Sequence, residues 1–140
     1  MKRINQSLLC MAVCILLSCG ADTPTPETER IAKLLSEGAW TLHSATVDDV
    51  DKLSLYSGLS ITFTETTFTT TNGGVQWPSS GTWEFTDATA KVVERNDGLL
   101  ITLEEVSTTL AVISFQWDDT TFEEGRISSL GGEHVFTFVH

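Results

Sequence analysis

Between Leu59 and Thr64 the chain alternates without a break: Leu59, Ile61 and Phe63 are apolar, while Ser60, Thr62 and Thr64 are polar. A period of two puts the three apolar side chains on one face of an extended strand, whereas a helix would scatter them around its circumference. The pattern recurs. Phe68 stands among threonines, and Trp83 and Phe85 share a face in Gly81-Thr82-Trp83-Glu84-Phe85. Further strands read over residues 99–105, 110–117 and 134–139. Asn96-Asp97-Gly98 and Ser107-Thr108-Thr109 mark turns between them. From Trp40 to Val139 this amounts to roughly eight short strands, each with one apolar and one polar face, the habit of antiparallel sheets. Threonine-rich and aromatic strands with open edges would pair between molecules, and closing the sheet removes those edges. The connections are mostly hairpin-length and no long crossover is evident, so an up-and-down barrel is favoured over a sandwich. The alternation predicts a core of Trp40, Leu42, Ile61, Phe63, Trp83, Phe85, Ile101, Leu103, Phe115, Phe136 and Phe138.

Ahead of the strands, Thr25-Pro26-Glu27 suits a helix start. Threonine can cap, proline fits the first turn, and Glu27 and Glu29 complement the positive end of the helix dipole. Ile31, Leu34 and Leu35 form one apolar stripe, and Gly38 can stop the helix in a left-handed turn. The expectation is a helix of about three turns that lids or plugs the barrel.

All three cysteines, Cys10, Cys14 and Cys19, fall within the first nineteen residues. Lys2 and Arg3 precede an apolar run over residues 8–17, and Ser18, Cys19 and Gly20 come after it, which is the layout of a secretory signal peptide. The run is about half the length a bilayer-crossing helix needs. Leu16-Leu17-Ser18-Cys19 resembles the lipobox of bacterial lipoproteins. The resemblance implies cleavage before Cys19, its attachment to diacylglycerol and acylation of the new amino terminus. Gly20 in the next position resembles lipoproteins sorted to the outer membrane. Residues 20–26 are small, polar and proline-punctuated, a tether without core-forming side chains. The expected organisation is a signal peptide over 1–18, lipidated Cys19 with its tether over 19–26, and one barrel domain with its helix over 27–140. The full chain of 140 residues has 8 basic and 19 acidic side chains. Losing Lys2 and Arg3 with the signal would leave 6 basic against the same 19, a net charge of −13. Such a charge repels nucleic acid and anionic membrane surfaces, so the membrane contact expected is the lipid alone.

The Gly38-Ala39-Trp40 start, the later Gly81-Thr82-Trp83 and the closing antiparallel strands together resemble the lipocalin-like domains of Bacteroidota lipoproteins. The resemblance implies an eight-strand lipocalin-like barrel in the cell envelope that binds a small apolar ligand or a glycan. Lipocalins also place a basic residue over the first-strand tryptophan, a position for which Arg126, near the end of the chain, is the candidate.

The remaining residues carry no chemical signature. His43, His134 and His140 lack metal-ligand spacing, no nucleophile elbow or phosphate loop is present, and no cofactor is implied, so an enzyme is not expected. Asp48-Asp49-Val50-Asp51 and Asp118-Asp119 with Glu123-Glu124 lack the spacing of a calcium loop and read as solvated connections. Trp40, Trp77, Trp83 and Trp117 admit two readings, core filler or ligand platform. Trp77 is the leading ligand contact, with Trp83 beside it, because Asn72-Gly73-Gly74 and Pro78-Ser79-Ser80-Gly81 set Trp77 in a loop, partly exposed at the mouth. If the barrel is instead filled, the alternative is a non-enzymatic interaction or structural module whose loops contact another envelope protein.

Overall fold

The computed structural model describes residue 20, residues 22–123 and residues 126–140. The expected signal peptide and the anchor Cys19 lie outside the described residues, as do Glu124 and the side chain of Arg126.

The elements in chain order are α1 (Glu27–Leu35), β1 (Ala39–Val47), β2 (Val50–Asp51), a short 3-10 helix (Leu53–Tyr56), β3 (Ser60–Phe63), β4 (Thr67–Thr71), β5 (Ser80–Phe85), β6 (Val92–Arg95), β7 (Leu100–Val106), β8 (Leu110–Trp117), β9 (Thr121–Glu123), β10 (Arg126–Ser129) and β11 (Gly132–Val139). Strands β3 to β8 each pair antiparallel with the next; β8 pairs with β11, β11 with β1, and β1 with β3. The result is a closed eight-strand antiparallel barrel, as the alternation predicts. Strand β2 lies outside the closed ring against β1, and β9 and β10 form a separate hairpin between β8 and β11.

The inward face of two strands changes parity along its length. In β1 Leu42 pairs with Phe138 and Ser44 with Thr137, leaving His43 as an extra residue. Trp40 and Leu42 therefore share the core side with Ala45 and Val47 rather than with Ser44. Glu104 is the corresponding extra residue of β7, between Leu103 and Glu105. Most of the predicted core is buried, but Leu42, Phe63, Phe85 and Leu103 are half-buried against it. Leu42 and Leu103 border the bulges, while Phe63 and Phe85 end their strands at the rim.

Three local expectations are corrected. The first helical residue is Glu27, with Pro26 in the cap position and no side chain capping it. Gly38 is not at positive φ. The helix ends through Ser36, whose N–H reaches the carbonyls of Ala32 and Lys33. Finally, Asp48 and Asp49 open the long connection from β1 to β3 with a tight turn and not an irregular loop. Both sit at positive φ between paired Val47 and Val50, as in the two-residue type I′ hairpin.

One end of the barrel, where β1 begins and β3 ends, adjoins α1, the 64–66 turn, the 107–109 turn and the C-terminal His140. The other end carries residues 48–59, 72–79, 96–98, 118–123 and 126–131.

Candidate functional site

A barrel of this size suggests its interior as the place to look for function, and that interior is filled. Its enclosed cavity is about 20 Å³, lined by Leu35, Trp40, Phe68, Trp77, Trp83 and Phe138 among others. That is room for about one water, against roughly 300 Å³ for the smallest drug-sized ligand pockets.

Each end has its own closure. At the first, α1 buries Ile31, Ala32 and Leu35. The helix is fixed to the first strand by a hydrogen bond that the Trp40 indole N–H donates to the Leu35 carbonyl at 2.9 Å, with Trp40 only 1 % exposed. The ring covering Trp40 is His140, centroids 3.8 Å apart. A Cβ on Gly38 would lie 2.9 Å from that imidazole, so the bare backbone there makes room for it.

At the second end the closure is residues 72–79, and here the structure corrects the expected loop mouth. Trp77 is 2 % exposed, its ring edge-on to Phe68 and Phe115 at centroid distances of 5.9 and 6.0 Å. The physical reason is the backbone of Gly73. The chain folds back so tightly that a Cβ there would lie 2.1 Å from the Trp77 carbonyl oxygen. The Thr70 hydroxyl donates to the carbonyls of Trp77 and Pro78, at 3.2 and 2.8 Å, holding the segment against β4. Trp83 is 5 % exposed, and its indole N–H is shared between the carbonyls of Thr64 and Thr67. The two tryptophans expected to meet a ligand are thus brought to one enclosed core, with Trp77 as part of the stopper.

A buried polar chain that sequence reasoning passed over runs through the same closure. Arg95 is on the inward face of β6, paired with Trp83 in register. Its Cζ lies 5.1 Å from the centre of the Trp77 ring, a cation–π contact. Nε and Nη2 donate to the two carboxylate oxygens of Asp97 at 2.8 and 2.5 Å, and Nη1 donates to the Gln76 carbonyl at 2.6 Å. The Arg95 hydrogen bonds hold the Asp97 carboxyl below the usual carboxylate range, against a smaller opposing effect of burial. The signal was available: Val93 and Arg95 are two apart in Val-Val-Glu-Arg, so alternation puts Arg95 on the same face as Val93.

Gln76 extends the chain inward. Its side-chain nitrogen lies 3.0 Å from His134 Nε2 and 3.4 Å from the Leu130 carbonyl oxygen. The Tyr56 hydroxyl is 2.8 Å from the same imidazole nitrogen, and His134 Nδ1 is 3.0 Å from the Gly132 carbonyl. A carbonyl can only accept, so Nδ1 carries the hydrogen of a neutral ring and Nε2 accepts. Burial lowers the His134 pKa, while the Gly132 hydrogen bond and the charge of Asp48 partly oppose it. Burial likewise pushes the Tyr56 phenol up.

The acidic segment at Asp48 is used structurally: the Asp48 carboxylate accepts the Glu133 N–H at 2.9 Å, tying the β1–β2 turn to β11. Among the described residues no three His, Cys, Asp or Glu side chains gather in a metal-ligating group. The roomier hollows are on the outside. A groove of about 670 Å³ runs between α1 and the β3–β4 turn and is lined by Glu29, Lys33, Glu65 and Phe85 among others. No family model, curated protein or solved structure matches this chain.

Proposed function

We propose that this chain is a non-enzymatic interaction module of the cell envelope, anchored through an acylated Cys19, whose barrel is a packed scaffold and whose contacts are made on its outer surface. The observation carrying the scaffold reading is the interior volume of about 20 Å³, filled by Trp40, Trp77, Trp83 and their neighbours. A calyx for a small apolar ligand or glycan would need that space open. The anchor rests on the Leu16-Leu17-Ser18-Cys19 order and on a tether without core-forming residues. Its orientation comes from topology: the tether enters at α1, so residues 48–59, 72–79 and 96–98 lie at the end away from it.

Titration with fatty acids, sterols and oligosaccharides tests the scaffold. Any of them that bound the native state at a hundred times its dissociation constant would stabilise it by about 2.7 kcal/mol. The expected result is no shift in melting temperature and no change in tryptophan emission. A saturable, one-to-one stabilisation abolished by an interior substitution such as Phe136→Ala would overturn the reading. For the anchor, Cys19→Ala is expected to give an unprocessed, unacylated chain by mass spectrometry. Wild-type protein cut elsewhere with Cys19 unmodified would refute it.

A further inference from the structure

We infer that the closure formed by residues 72–79 is an acid-sensitive latch, held shut by neutral His134 and released when that ring takes up a proton. His134 is fully buried, opposite Val47 of β1 and Phe115 of β8, with its ring stacked on Phe115 at a centroid distance of 5.0 Å. The hydrogen bonds around it favour the neutral ring, because the Gln76 amide nitrogen can only donate while the Tyr56 hydroxyl can donate or accept. Nδ1 donates to the Gly132 carbonyl, leaving Nε2 as the acceptor for Tyr56 and Gln76. The Gln76 amide cannot turn over freely to offer oxygen instead, because its nitrogen also faces the Leu130 carbonyl. A proton arriving at Nε2 therefore sets the ring N–H against the Gln76 N–H, at the point where the 72–79 segment is tied to the far side of the barrel.

Charge adds to the mismatch. Arg95 already donates to the backbone carbonyl of Gln76, so an imidazolium would be a second cation on the same residue. Among the described residues, the groups facing His134 from the elements around it are Tyr56 of the 3-10 helix, Asp48 of the β1–β2 turn, and Gln76 with Arg95 behind it. Phe115 of β8 and Val47 of β1 bring no charge. Asp48 is the one carboxylate among them, and it already accepts the Glu133 N–H. Release falls on this segment because its own hold is incomplete: the Gln76 side-chain oxygen and the Trp77 indole N–H are buried without a hydrogen-bond partner. Strands β4 and β5 keep their ladder to the rest of the barrel.

Hydrogen exchange of the full chain, monitored by mass spectrometry between pH 7.5 and 5.0 and corrected for intrinsic exchange, reads the latch. In wild type the peptide covering 72–79 is expected to exchange at least tenfold faster at the acid end, while the β8 and β11 peptides change little. His134→Gln should lose that dependence. If His134→Gln fails to fold, imidazole NMR of wild type decides. A neutral Nδ1–H ring whose titration midpoint coincides with the exchange transition supports the latch. A ring that stays neutral to pH 5.0, or titrates without any change at 72–79, overturns it. The same acid acceleration in a folded His134→Gln would also overturn it.

Discussion

Arg95 is the residue where the barrel departs furthest from an apolar core. Its side chain is 1 % exposed while that of its partner Asp97 is 44 % exposed, so the cation is enclosed and its counter-ion is half in water. Removing one partner of such a pair strands the other, whereas replacing a buried ion by an apolar residue of similar length is often neutral. Asp97→Ala is therefore expected to destabilise the domain by about 1–2 kcal/mol, discounted for the exposure of the carboxylate. Arg95→Met/Asp97→Ala should recover part of that loss. A denaturant titration in which the double variant is worse than the sum of the single ones would contradict this. Because its folded pKa is lowered, Asp97 contributes stability that is present above the unfolded carboxyl value of about 3.9 and lost as pH falls towards the folded value. Fully buried Phe136 should cost about 3–5 kcal/mol on truncation to alanine, and half-buried Phe63 distinctly less.

At the scale of elements, the strands were legible and the closures were not, for a physical reason. A strand facing a core must alternate, and Ile61, Trp83, Ile101 and Phe138 all fall where alternation puts them. A closing segment buries isolated side chains without a period, here Gln76 and Trp77 among exposed neighbours, so Trp77 between Gly73-Gly74 and Pro78 reads as exposed although it is enclosed. Bulges hide for a related reason: His43 and Glu104 are ordinary strand residues whose only effect is to reverse the parity of the positions after them. Close backbone approach is similarly silent until the partner is known. Gly81 is opposite Phe68, and a Cβ there would lie 2.6 Å from that ring. Gly81→Ala should cost about 1–3 kcal/mol through overpacking, with the fold kept. Gly73→Ala should displace the 72–79 segment and shift Trp77 emission to the red at neutral pH. An unchanged spectrum would mean that the closure does not depend on that tight approach.

For the whole molecule, the pH behaviour of the far end sets a window. His134 has a folded pKa below its ordinary value of about 6.5, so the unfolded state binds the proton more readily. Stability from the neutral ring is complete above that value and is lost as pH falls from it towards the folded value. The net charge of −11 on the full chain bears on its association with other molecules and not on its fold. The central claim is that this closed barrel is a core and not a container. The most direct measurement is an experimental electron-density map of the protein purified at neutral pH from the cells that make it. It should show side chains meeting across the interior, Trp77 enclosed beside Arg95, and no space larger than a water. Density for a bound apolar chain or sugar inside the ring of strands, with residues 72–79 swung aside, would contradict the account.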